Sequence, residues 1–278
     1  MFGLPYKTFP TIDIGPIHLQ VFGLLVASGV IVGTIVAGRY GRRFNVSQDE
    51  VLRIAPWLVL AGILGARLTF VITNFDEMHS FWDAFAIWKG GLQFTGGAIV
   101  ASLVALPLLR RLGAAERWHF ADAVGLGLII GQAIGRLGCI AVGEHFGGPT
   151  SFPFGLTWEG GTTREPAPPI GTVFHQTAAY EAIHLFVLFV ALLLILRKRT
   201  LPPGVLMAIF CLWYGVLRFL TDFLRSYDRE VLGLTGAQYG CIALVAVGVW
   251  LLVTTRARVE RLGAAAPAKA DPTPATAE

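Results

Sequence analysis

Charge is what this chain has least of. Only 14% of its 278 residues are Asp, Glu, Lys or Arg, against 54% hydrophobic. An ordinary soluble domain is about one quarter charged, so the shortfall argues against a soluble enzyme and for a polytopic membrane protein. Cysteine is scarce too. Cys139, Cys211 and Cys241 all fall inside apolar runs without paired spacing, which excludes a disulfide framework and a zinc motif. The opening "MFGLPYKTFPTIDIGP" has no basic stretch followed by an apolar run, so no cleavable signal peptide is expected. The net charge of +4 flanks apolar segments and does not gather on one face, which argues against a nucleic-acid partner.

What is present is long apolar runs. Seven spans are expected, at about 17–38, 51–73, 92–110, 120–142, 177–196, 204–224 and 236–254. The fold expected is all-α, one transmembrane domain over 1–255. The loops alternate in charge: "GRYGRRF" (Arg39, Arg42, Arg43), "RRLGAAERW" (Arg110, Arg111, Arg117), "RKR" (197–199) and the end "RARVER" are basic, whereas the others carry only Lys89, Arg164, Arg225 and Arg229. By the positive-inside rule the basic loops are cytoplasmic, the N-terminus outside and the C-terminus inside. Residues 143–175, rich in Gly, Pro and Thr, form an external loop by this reading. Residues 256–278 form a basic, disordered cytoplasmic tail.

Ionisable residues within such spans cost a few kcal/mol on insertion scales and mark function by default. Arg67, Asp122, Arg136, Glu144, Glu181, Arg218, Asp222 and Arg225 all lie inside or at the rim of a span. In "WYGVLRFLTDFLRSYD", Arg218, Asp222 and Arg225 share one narrow stripe at 100° per residue. Two arginines and one aspartate leave that stripe cationic, which suits an anionic ligand such as a phosphate. "GRLGCIAVGEHFGG" (135–148) adds Arg136, with Gln132 four residues before it and Glu144 eight after. The simplest ligand that is both anionic and at home in a membrane is a phospholipid. Glycines recur in "GGLQFTGGAIV" and as G-x-x-x-G at Gly127/Gly131 and Gly131/Gly135. They serve close helix packing, or they clear room for a ligand and expose backbone N–H groups to a phosphate.

These stretches resemble the motifs of the prolipoprotein diacylglyceryl transferases. "GRLGCIAVGEHFGG" is similar to that family's G-R-x-G-N-F-x-N-x-E signature, followed by a glycine at Gly147. "GARLTFVIT", "WKGGLQFTGGA", "HQTAAYEA" and "YGVLRFLTDFLR" are similar to four further motifs, in the same order. The resemblance reaches about residue 255 and implies seven spans in a bacterial inner membrane. It implies transfer of the diacylglyceryl group of phosphatidylglycerol to the lipobox cysteine thiol of preprolipoproteins, recognised through their signal peptides, with release of glycerol phosphate. No metal and no organic cofactor is implied. Carried onto this chain, it makes Arg136 and Arg218 the phosphate-facing catalytic pair with Glu144 as a third catalytic group. Arg67, Arg225, Gly147, Thr95, Gly96 and Gly97 join the phosphatidylglycerol site, and Glu181 and Asp222 orient the arginines.

The chain departs from the pattern at Thr95, where the family has histidine, and at Cys139 and Val142, where it has asparagine. Phe22 stands for a tyrosine, and Gln176, Thr177, Ala178 and Ala179 for proline, serine, glutamine and leucine. Three readings follow: catalysis with another group taking the thiol proton, for which His145 is the candidate; a paralogue of altered donor or acceptor; or a phospholipid-binding protein without chemistry. His145 also reads as a rim histidine facing water. Cys139 reads as a small buried hydrophobe or as a nucleophile beside Arg136.

Overall fold

The structure is a computed structural model that describes residues 3–15, 17–44, 46–75, 80–86, 91–163, 165–225 and 230–264. Lys89, Arg164, Arg229 and the stretch 265–278 lie outside the described residues. In chain order the elements are β1 (Leu4–Tyr6), β2 (Thr11–Ile14), β3 (Ile17–Gln20), α1 (Val21–Gly41), α2 (Gln48–Thr73), α3 (Phe94–Leu108) and α4 (Ala114–Val142). They continue with β4 (Phe146–Pro149), β5 (Leu156–Trp158), β6 (Val173–Gln176), α5 (Thr177–Lys198), α6 (Val205–Asp222), β7 (Glu230–Val231), β8 (Leu234–Thr235), α7 (Gly236–Val253) and α8 (Thr255–Ala264).

Helix boundaries follow local chemistry. Ser47 opens α2 by accepting a hydrogen bond from the Glu50 amide, and Thr235 and Gln238 form a reciprocal capping box that opens α7. Gly143 closes α4 in the left-handed conformation, at φ 68°, where a residue without Cβ pays least. Among the described residues six helices, α1, α2, α4, α5, α6 and α7, are long and apolar enough to cross a membrane, so the chain is a multi-pass membrane protein. The expected span at 92–110 is shorter. α3 has 15 residues, with Pro107 inside it and a 3-10 turn at Leu109–Arg111 after it. At 1.5 Å per residue that is about 22 Å, below the roughly 30 Å of a hydrocarbon core.

Large apolar side chains such as Leu64, Leu68, Ile72, Leu103 and Leu106 point outward on α2 and α3. In water such an apolar girdle would aggregate; in lipid it is solvated. The interior is built by α1, α4, α5 and α6, with Leu126, Ile129, Leu185, Leu192, Leu206 and Phe210 at its centre. α1 and α4 touch backbone to backbone. A Cβ added at Gly127 would sit 2.5 Å from the Gly33 carbonyl oxygen, and one at Gly29 would sit 2.5 Å from that of Gly131. The Gly127/Gly131 pair is therefore a packing pair, whereas Gly135 faces open space.

The expectation of an all-α chain needs correcting at one end of the bundle. β1, β5, β6 and β4 form a four-stranded sheet in that order, so part of the loop 143–175 is ordered and pairs with the N-terminal strand. Its core is aromatic: Tyr6, Phe146, Trp158 and Phe174 pack with ring centroids as close as 5.2 Å. The Tyr6 hydroxyl donates to the Ile140 carbonyl at the end of α4. Burial pushes that phenol up to about 12, so it stays a donor. Strands whose polar edges are satisfied by neighbouring strands carry no 3.6-residue period.

At the opposite end the basic segments meet. Arg43 donates to the Leu196 carbonyl at 3.3 Å. Asp122 accepts from the backbone N–H groups of Gly204 (2.7 Å) and Met207 (2.9 Å), capping α6 from α4. The tail also needs correcting, because Thr255–Ala264 is helical. Arg258 anchors it, donating to the Pro203 and Leu251 carbonyls at 2.6 and 2.8 Å, with its guanidinium 4.2 Å from the centre of a Trp118 ring.

Candidate functional site

The site lies where α4 and α6 end and α5 begins, beneath the sheet, and Glu181 is its centre. This carboxylate, fully buried on the first turns of α5, receives Arg136 of α4 at 2.6 Å. Arg218 and Arg225 stand at 3.5 and 3.8 Å from its other oxygen. Asp222 is paired with Arg218, lies 3.5 Å from Arg225, and accepts the Thr235 hydroxyl that also caps α7. The stripe read from the sequence, 218/222/225, therefore does face inward. Among these five groups, three guanidiniums against two carboxylates leave one net positive charge in a buried place, with the Glu144 carboxylate adjoining it.

One further residue, not among those expected from the sequence, belongs to this cluster. Tyr214 lies one helical step before Arg218, and its hydroxyl accepts from Arg136 at 3.3 Å. Its signal was the same stripe extended backward by i−4.

The loop after α4 folds over the cluster. The Gly148 amide donates to the Leu224 carbonyl at 2.9 Å, Gly147 bridges Arg225, and the Thr177 hydroxyl donates to the His145 carbonyl at 2.9 Å. A Cβ at Gly147 would lie 2.6 Å from the Leu224 carbonyl oxygen, so this glycine is required for the close approach of loop and helix. Within the loop, Cys139 Sγ, a Glu144 carboxylate oxygen and a His145 ring nitrogen all lie within 4.8 Å of one another. An Arg136 nitrogen stands 3.9 Å from that sulfur. A cation held among them would meet the Arg136 guanidinium, and an anion would meet the Glu144 carboxylate.

His145 takes φ 67°, a left-handed conformation uncommon for a side chain with a Cβ. Glu165, a residue no periodicity could single out, holds it there. One carboxylate oxygen accepts the His145 amide at 2.6 Å, and the other lies 3.4 Å from Nδ1. Burial first, then the Arg225 and Arg136 guanidiniums, hold the imidazole well below its ordinary value, so it is neutral at neutral pH.

Other expected site residues stand elsewhere. Buried Arg67 donates to the backbone carbonyls of Ala84 (3.0 Å) and Gly91 (3.1 Å), and to that of Asp83, and lies over the Phe70 ring. These contacts fasten the segment before α3 to α2, so Arg67 has a structural task outside the cluster. Gly96 and Gly97 face α2. A Cβ on Gly97 would sit 2.6 Å from the Gly62 carbonyl oxygen, and one on Gly65 2.7 Å from that of Gly96. Close helix packing accounts for both. Thr95 packs on α7, its hydroxyl 3.0 Å from where a Gly240 Cβ would be.

Residues 10–254 match the family model described as prolipoprotein diacylglyceryl transferase. A phosphatidylglycerol–prolipoprotein diacylglyceryl transferase from Thermosynechococcus vestitus is 34% identical over 244 residues, covering 86% of this chain and 90% of that one. Enzymes of the same name from Gloeobacter violaceus (32%, covering 90% and 94%) and Synechococcus elongatus (35%, covering 87% and 85%) match similarly.

Proposed function

The chain belongs to the prolipoprotein diacylglyceryl transferase family, and from that premise we propose that it transfers the diacylglyceryl group of phosphatidylglycerol to the lipobox cysteine thiol of prolipoproteins. The observation that carries the reading is the buried cluster of Arg136, Arg218 and Arg225 around Glu181, with its net positive charge. The thiol loses its proton and the thiolate attacks the glyceryl carbon bonded to phosphate. The S–C bond forms as the C–O bond breaks, and the electron pair leaves with glycerol phosphate. Charge grows on the phosphate in that step. Preorganised guanidiniums in a water-poor site stabilise it more than water does, because they need not reorient.

Arg136 and Arg218 take the phosphate-facing role, with Arg225 beside them. Glu181 and Asp222 fix the guanidinium planes, and Glu144 lines the side where the thiol arrives. Substrates reach the site from the bilayer and through the signal peptide of the prolipoprotein. The sheet end of the bundle then faces outward with the N-terminus, and the basic end with the C-terminus faces the cytoplasm of a bacterial inner membrane. Residues 1–255 act as one domain.

The test is incubation of the purified protein with phosphatidylglycerol and a lipobox peptide. Glycerol phosphate should appear in step with the thioether product. A peptide that gains no diacylglyceryl mass, under conditions in which the Thermosynechococcus relative modifies it, overturns the proposal.

A further inference from the structure

The transfer step needs an acceptor for the thiol proton. Glu181 and Asp222 are committed to guanidiniums, and the Tyr214 hydroxyl faces Arg136. His184, one turn beyond Glu181, has both ring nitrogens buried without a hydrogen-bond partner among the described residues, so none of these fixes its tautomer. Glu144 lies beside His145, where its carboxylate meets an imidazolium once one forms.

His145 differs from all of these. Resting on the transferase reading above, we propose that His145 is the general base that takes the lipobox thiol proton, and that Glu165 is its positioning residue. The geometry has three parts. First, Glu165 grips both the His145 amide (2.6 Å) and the Nδ1 edge (3.4 Å), and Thr177 holds the His145 carbonyl. A carboxylate facing Nδ1 favours the proton there and leaves the Nε2 lone pair as acceptor. Second, the ring sits at the cluster: one of its nitrogens lies within 4.8 Å of Cys139 Sγ and of a Glu144 oxygen, and the loop that carries it is bonded to α6 beside Arg225. Third, the side chain is 20% exposed, so the acquired proton has a route to water.

The step balances. The S–H proton passes to Nε2, the thiolate forms the S–C bond, the C–O pair leaves on the phosphate, and imidazolium then releases its proton to solvent. Glu165 and Glu144 stabilise that imidazolium in passing. Cys139, Arg136, Arg218, Arg225 and Glu181 are the other titratable or charged groups around it. The guanidiniums keep the resting ring neutral, which is the form a base requires.

The test compares wild type with His145→Asn, Glu165→Gln and His184→Gln. Asparagine tolerates the left-handed backbone, so His145→Asn removes the imidazole and little else. In wild type, kcat/KM should be flat through neutral pH and fall on an acid limb below pH 6.5. His145→Asn should lower kcat by about a hundredfold or more and abolish the limb, with KM for phosphatidylglycerol little changed. Glu165→Gln removes a negative charge beside the ring, so the limb should move down by about one pH unit as kcat falls. His184→Gln should keep the limb. In histidine-labelled protein, 15N shifts should report His145 protonated at Nδ1, and a loss of that preference in Glu165→Gln. Transfer by His145→Asn at the wild-type rate, or a limb lost only in His184→Gln, or an Nε2-protonated His145, overturns this proposal while leaving the transferase reading intact. A wild type that transfers nothing overturns both.

Discussion

Replacing Glu181 isolates the electrostatics on which the site depends. Glu181→Gln keeps the shape of the side chain and removes its charge. Arg218 and Arg225 retain Asp222, the latter at 3.5 Å, but Arg136 loses its carboxylate at 2.6 Å and keeps the Tyr214 hydroxyl at 3.3 Å and the Cys139 sulfur at 3.9 Å. Stranding one partner of a buried ion pair costs about 3–5 kcal/mol. A domain with some 5–15 kcal/mol in total would lose about a fifth of its stability or more. Arg136→Ala should cost less, because Glu181 still faces Arg218 and Arg225. The double variant Arg136→Ala/Glu181→Gln should then be less damaged than the sum of the singles, by about 1–3 kcal/mol. Denaturant unfolding in detergent micelles, followed by tryptophan fluorescence, reads all three. If Glu181→Gln unfolds within about 1 kcal/mol of wild type and the double variant is additive, the cluster is not held by charge and the reasoning fails.

Gly127→Val should open the α1–α4 contact and cost about 1–3 kcal/mol, whereas Gly135→Ala, with open space around it, should be neutral or stabilising by up to about 1 kcal/mol; equal effects in the same unfolding assay would contradict the packing. Arg67→Ala should lower the unfolding midpoint, because three backbone carbonyls lose their donor. The folded fraction should still transfer at close to the wild-type rate, and a raised KM for phosphatidylglycerol would put Arg67 back in the site. Thr95→Ala should change transfer little, and a large loss would return the start of α3 to the chemistry. His145 is held neutral, below the roughly 6.5 of an unfolded chain. As pH falls through 6.5, the unfolded state takes a proton that the folded state refuses, and stability drops by up to about 1.4 kcal/mol per pH unit. His145→Asn should remove that share of the slope, and parallel stability curves would refute the burial.

Features that repeat at helical spacing were readable from the sequence. The apolar runs located the helices, and the stripe of Arg218, Asp222 and Arg225 correctly faced inward. Features that depend on which groups meet across the fold were not. Arg67 is as conspicuous in the sequence as Arg136, yet its partners are the carbonyls of Asp83, Ala84 and Gly91, which carry no sequence signal. Gly96 and Gly97 look like any phosphate-binding glycines until α2 is placed against them. The sheet rests on strands of three or four residues, too short for alternation to be seen. Glu165 sits in a Gly/Pro-rich loop, and only the folding of that loop onto the end of α4 brings it to His145.

The most direct test of the account is the diacylglyceryl mass gain of a lipobox peptide, measured with phosphatidylglycerol for wild type, Arg136→Ala and Arg218→Ala. Wild type should give the full mass increment, and both variants should lose transfer beyond what their folded fractions explain. Undiminished transfer by either folded variant would contradict the assignment of that arginine to the phosphate, and transfer undiminished in both would remove the cluster from the mechanism.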